Sequence, residues 1–490
     1  MDKLLPLKLP PGMRNTGTVY QSKDRWYSGN FVRFFQDTIQ PIGGWSSWTT
    51  SGASMNGVPR AMITYLRQSG SANAPVTVIG TTTKLFALVG TVLSDITPTG
   101  MAATVNWTLD VFGNYCVAVA HTAANTPSIA YKWDGNTANI ATKLEPYDAT
   151  STWDKTYAIV ATPERFLFAL GSTDWAAGYV LTTGIPNPRT VAWATQEGGL
   201  TSADWTPSST NTAGSYDLST NGQLVCGRRS RGTTLLWTTT DLWGATYIGG
   251  GFYYRFDQLG MNCGIVGPSA VCVNDTAAFW MGNNAFYTFD GFVRPIPCDV
   301  QDYVFGSFNT TYKHLVWALE NPAFSEVTWF YPHAAQTEIT RYVTYNHREN
   351  HWVTGTLCRT AGVTYIPGVT TTPVMTNSSG TIFTHETGTG RNSEGTPSLE
   401  SGPLEVGDGD NLAQIQSVIP DDDTVGDVNL TLYGAPNPDT AETTYGPYTL
   451  TAKTTFRAKA RQFRIKLTEA VASAWRVGVI RLGVVQSSRR

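Results

Sequence analysis

The chain has 490 residues, of which 41% are hydrophobic and only 14% charged, with a formal net charge of −3. That length exceeds one ordinary core and fits two or three domains, and the near-neutral balance excludes a globally basic nucleic-acid binder. Six cysteines without a Cys-x-x-Cys pair argue against a zinc centre and against a disulfide framework.

Residues 1–50 read as an extended docking arm. Pro6, Pro10 and Pro11 disfavour an early helix, and Met1-Asp2-Lys3-Leu4-Leu5-Pro6 has no long apolar run of the kind a secretory leader carries. Trp26, Tyr27, Phe31, Phe34, Phe35 and Trp45 follow. So short a segment cannot bury that many rings on itself, so it docks on the body of the chain or on a neighbouring subunit.

Residues 51–399 read as short strands between turns. Aromatics reach 12%, and with Thr they favour half-buried pleated surfaces. Three stretches share one pattern: Phe86-x-Leu88-x-Gly90, Tyr131-x-Trp133-x-Gly135 and Tyr287-x-Phe289-x-Gly291. Period-two alternation sets both large side chains on one face, and the glycine turns the chain, twice as Asp-Gly. The spacings match one blade and about three blades at roughly 40–50 residues each. The fold expected is mostly β: a β-propeller-like body of six to seven blades, with a C-terminal β domain over 400–490.

That last region splits in charge. Glu394 to Glu442 holds eleven acids and no Lys or Arg, and Lys453 to Arg490 holds ten basic residues and one acid, Glu469. Phe463, Ile465 and Leu467 alternate with Arg464 and Lys466, whereas Arg457, Lys459 and Arg461 alternate with Ala458 and Ala460. The basic and apolar faces thus share odd numbers, which predicts a bulge or a change of environment near Gln462. Trp475 to Leu482 reads as the final strand.

No motif completes a catalytic, metal or cofactor set. His347-Arg348-Glu349-Asn350-His351 is not His-Glu-x-x-His and falls in an expected solvated turn. Tyr247-Ile248-Gly249-Gly250-Gly251-Phe252 lacks the Lys-Ser/Thr of a phosphate loop and reads as a bend with close backbone approach. Asp408-Gly409-Asp410-Asn411 and Asp421-Asp422-Asp423 do not complete a calcium loop. Glu164 reads as a solvated or locally paired turn acid. Ser172-Thr173-Asp174-Trp175 and Ser202-Ala203-Asp204-Trp205 only approach the sialidase Asp box. Arg228, Arg229 and Arg231, bounded by Gly227 and Gly232, read as a solvated hairpin tip or a contact to phosphate or an acidic partner. No apolar run reaches the length of a membrane span.

The stretches Leu9-Pro10-Pro11-Gly12, Tyr20 to Tyr27, Pro41-Ile42-Gly43-Gly44-Trp45, Trp193-Ala194-Thr195, Asp204-Trp205-Thr206-Pro207, Ala213-Gly214, Asp241-Leu242-Trp243, Arg461-Gln462-Phe463-Arg464, Trp475-Arg476-Val477-Gly478 and Arg489-Arg490 together resemble tail nozzle (tail hub) proteins of short-tailed bacteriophages. The resemblance implies a structural virion protein, not an enzyme, with no cofactor. It implies a propeller-containing subunit of a ring, hexameric in that family, assembled in the host cytoplasm. The ring would adjoin portal and adaptor proteins and tail fibre, spike or needle proteins. It would retain packaged DNA, touch it non-specifically in the lumen and conduct it at ejection. Arg457, Lys459, Arg461, Arg464 and Lys466, with Arg228, Arg229 and Arg231, are the candidate inter-subunit or DNA-facing groups. Pairing of the basic tail between subunits is favoured, since lumenal cations would hold phosphates and slow sliding. The alternative is a carbohydrate-binding or carbohydrate-cleaving β-propeller, as in a receptor-binding protein or depolymerase.

Overall fold

A computed structural model describes residues 3–69, 72–144, 155–172, 187–405, 412–421, 425–438 and 440–486. Among them the chain is almost wholly antiparallel sheet.

Seven small sheets form a ring. Blade one is Pro59–Ser69, Ala72–Thr81, Leu85–Val89 and Val92–Asp95, with Ser51–Gly52 added in parallel at its outer edge. Blades two to seven start with the inner strands Asn106–Phe112, Ala158–Ala161, Leu224–Ser230, Val271–Val273, Trp317–Asn321 and Ala361–Val363. Each inner strand touches the next, and Ala361–Val363 returns to Pro59–Ser69, which closes a seven-bladed propeller.

The three glycine hairpins occupy equivalent places, after the third strands of blades one, two and five. Gly90 and Gly291 turn tightly with φ of 61° and 119° and have open space where a Cβ would sit. Alternation divides the faces as expected. Phe86 and Leu88 pack with Val363, Val374 and Ile382 of blade seven, while Leu85 and Ala87 pack with Trp107 and Tyr131 of blade two. Buried indoles tie loops to strands: Trp107, Trp280, Trp329 and Trp352 donate to the carbonyls of Thr81, Cys263, Ala270 and Pro297.

Blade seven is completed from the other end of the chain. Its third strand, Ile382–His385, would leave an unpaired edge, and Trp45–Ser47 fills it, with Trp45 opposite His385.

The C-terminal region is a two-sheet sandwich. One sheet runs Lys3–Leu7, Ile480–Gln486, Ala413–Ile419, Thr454–Ala460. The other runs Trp26–Asn30, Ser398–Ser401, Gln462–Glu469, Val428–Ala435, Thr443–Thr449. Ile415, Ala458, Leu482 and Val484 of the first meet Leu399, Leu432, Phe463, Ile465 and Leu467 of the second in the core. The expected change near Gln462 is a sheet switch. Ala460 pairs with Ala413 in one sheet and Gln462 with Ala435 in the other, so a single residue, Arg461, crosses between them. That is why the buried positions shift from even to odd numbers.

The final strand is displaced from its expected place. It begins at Ile480, because Val477 instead exchanges backbone hydrogen bonds of 2.8 and 2.9 Å with Ile39 of the Val32–Phe35/Thr38–Pro41 hairpin.

The described part of the arm, residues 3–50, docks on its own chain. Lys3–Leu7 and Trp26–Asn30 belong to the sandwich and Trp45–Ser47 to the propeller, so the segment stitches the two together. Trp26, Phe31, Phe34 and Trp45 are buried, Tyr27 and Phe35 half-buried. Phe31 stands edge-on to Trp45 at 5.4 Å, and Phe35 edge-on to Phe324 of blade six at 5.3 Å. The buried rings are therefore spent within the chain.

Candidate functional site: two arginine–glutamate centres

Neither region of concentrated charge comes from a recognisable motif. The first lies between blades six and seven. Arg33 enters from the N-terminal hairpin and is buried. Its Nε and Nη2 donate to both oxygens of Glu326 at 3.1 and 2.9 Å. Its Nη1 and Nη2 donate to Glu386 at 3.0 and 2.6 Å. Gly43 N and Asn321 Nδ2 complete the Glu386 shell. The guanidinium also lies 3.5 Å over the ring of Phe324.

Burial pushes the Glu326 carboxyl up. Glu386 is held below the usual range by Arg33 and its further donors, which outweigh its burial. A carboxylate pair with diverging acidities is the pattern of acid–base catalysis. Here, however, all four oxygens accept hydrogen bonds from the chain itself, and the cavity left beside them is small, about 60 Å³. The geometry is that of a latch fastening the hairpin to blades six and seven.

The second centre lies on the sandwich. Arg464 Nε and Nη2 donate to both oxygens of Glu442 at 2.7 and 2.6 Å, and Nη1 donates to Glu400. Lys466 Nζ is 4.0 Å from Glu400. These two cations therefore meet acids of their own chain: Glu400 stands on the flanking strand Ser398–Ser401, and Glu442 just before Thr443–Thr449, the strand beyond Val428–Ala435. Arg457 and Lys459 differ. They point outward from Thr454–Ala460, a sheet edge, and among the described residues no acid reaches either charged group, although the Tyr445 hydroxyl donates to the Lys459 carbonyl at 3.2 Å. Arg461, at the sheet switch, reaches Asn437 Oδ1 at 3.4 Å.

Arg228 and Arg229 lie inside the inner strand of blade four rather than at a solvated tip; the turn falls at Arg231 and Gly232. Arg229 donates to Asp110 of blade two at 2.9 Å, and Asp110 also accepts from Ala161 N of blade three at 2.7 Å, bridging three inner strands. Arg228 donates to the carbonyls of Gly227 and Pro268. Arg231 is exposed.

His351 is buried at the start of its strand, not solvated, and contacts Glu349 at 3.2 Å, while His347 faces Glu320. Among the described residues no three metal-ligating groups converge. The Gly249–Gly251 run forms a protruding tip, and Gly250 and Gly251 have nothing within 4 Å of a built Cβ, so no close backbone approach explains them. Glu164 accepts from Tyr254 at 3.2 Å. Asp204 accepts from Thr201 in a capping box, and Trp205 is buried. Asp408, Gly409, Asp410, Asn411, Asp422, Asp423, Thr173, Asp174, Trp175, Arg489 and Arg490 lie outside the described residues. No described helix is long and apolar enough to cross a membrane.

No family model and no curated protein matches this chain. Solved structures with similar folds include an exo-β-1,3-galactanase of Phanerochaete chrysosporium, at 10% identity and TM-score 0.30 over 90% of this chain and 100% of that one. The Pan2 WD40 domain of Neurospora crassa matches at 8% and 0.37 over 70% and 95%. The extracellular domain of BT4673 from B. thetaiotaomicron matches at 10% and 0.38 over 67% of this chain, which spans 39% of it. At these values the likeness concerns the β build and bears on neither activity nor ligand.

Proposed function

We propose that this chain is a structural, ring-forming subunit of a bacteriophage tail nozzle, retaining packaged DNA and forming its exit conduit. The observation that carries the reading is the division of the basic tail. Arg464 and Lys466 are neutralised within the chain, whereas Arg457 and Lys459 stand outward on an outer strand with no acid beside them among the described residues. An outer strand carrying cations without a nearby acid suits an acidic edge of a neighbouring copy. The stitched arm supports the same reading, since it makes propeller and sandwich one mechanical unit.

Negative-stain imaging of particles carrying Arg457→Ser, Lys459→Ser and Arg461→Ser together tests it. Loss of the tail ring is expected. An intact ring with faster DNA leakage would instead place these groups in the lumen, and a wild-type protein that never joins a portal–adaptor complex would sink the proposal.

A further inference from the structure

The arm and the sandwich border an open groove of about 320 Å³, at the lower end of the roughly 300–1,000 Å³ of small-ligand sites. Three tyrosines line it: Tyr20 from the short turn Val19–Ser22, Tyr27 from the edge strand, and Tyr433 from Val428–Ala435. Glu442, Gln462 and Arg464 supply its polar wall. The Arg464 guanidinium lies 5.1 Å from the Tyr433 ring centre and is fixed by Glu442 and Glu400. Tyr20 donates its hydroxyl to Gln462 Oε1, which leaves the Gln462 amide nitrogen without a partner among the described residues.

We infer that this groove binds a neutral oligosaccharide of hexose type. Aromatic rings offer flat apolar faces to the C–H face of a pyranose. Planar carboxylate, amide and guanidinium groups match the spacing of adjacent hydroxyls as paired donors and acceptors. The charge balance selects against anions. Arg464 and Lys466 are offset by Glu400 and Glu442, so an incoming carboxylate or phosphate meets no net positive field and lies near two carboxylates. This chemistry separates the groove from the outward cations of the Thr454–Ala460 edge and does not depend on ring formation.

The test is a glycan array holding neutral hexose oligosaccharides (malto-, cello- and galacto-series) beside uronate- and sialate-bearing ones, probed with the full chain. Tyr433→Ala and Gln462→Ala are compared with Tyr448→Ala, whose ring stacks on Phe456 outside the groove. Wild type and Tyr448→Ala are expected to retain the same neutral glycan. Tyr433→Ala and the milder Gln462→Ala should each weaken it about tenfold or more, with unchanged near-ultraviolet circular dichroism. No retained neutral glycan, a preference for acidic ones, or equal binding by the Gln462→Ala variant would overturn the inference.

Discussion

Arg33 and Arg464 each hold two glutamates, yet they occupy opposite regimes. The Arg33 side chain is 4% exposed, with Glu326 at 6% and Glu386 at 16%. The Arg464 side chain is 25% exposed, and its partner Glu442 32%. Partner count is the same; dielectric is not. Removing one member of a buried set strands the others without water, whereas surface pairs are screened and solvated. The first centre therefore holds the fold together, and the second shapes a surface.

The largest effect should come from the first. Arg33→Ala strands Glu326 and Glu386 and is expected to cost about 3–5 kcal/mol, measured by urea unfolding. Trp45→Ala attacks the same seam. It removes the ring stacked at 5.2 Å on His385 from the strand that completes blade seven, at about 3–5 kcal/mol. A loss below about 1 kcal/mol in either case would mean that the hairpin is not a latch.

Acid should reveal the latch next. The folded-state pKa of Glu386 is depressed, so its contribution is present above the unfolded carboxylate value of about 4.3 and fades as pH falls through the lower folded value. Glu386→Gln should flatten that acid limb in melting curves. Glu326 is shifted the other way by burial, so Glu326→Gln should cost less at pH 7 than Glu386→Gln. The reverse order would show that Glu326 carries the Arg33 charge.

Smaller effects belong to the sandwich surface. Arg464→Ala should cost no more than about 1 kcal/mol, falling with added salt. Arg457→Ser with Lys459→Ser should leave stability within about 0.5 kcal/mol and alter only association. A large stability loss from that pair would give them a partner within the chain.

How far the sequence discloses this follows the range of each interaction. The Gly90, Gly135 and Gly291 hairpins are local, and their spacing carries the blade repeat because a turn needs only neighbouring residues. The parity shift around Arg461 is equally local, and it marks the sheet switch. The latch is not local: Glu326 and Glu386 lie 293 and 353 residues from Arg33. Its one sequence signal is a lone charge inside Phe31-Val32-Arg33-Phe34-Phe35, a run too apolar for a solvated strand. The role of Trp45–Ser47 in blade seven left no signal, since backbone pairing at an edge specifies little about side chains. Arg228 and Arg229 read as a hairpin tip because Gly227 and Gly232 bracket them, yet Gly227 lies within the strand, opposite Leu236.

The most direct test of the assembly proposal is the particle mass of the purified chain, alone and mixed with portal–adaptor complex, from low to high salt. A closed multimer is expected at low salt, falling toward single chains as salt rises, and Arg457→Ser with Lys459→Ser and Arg461→Ser should disperse it even at low salt. A single-chain mass under every condition, with and without the portal–adaptor complex, would contradict it.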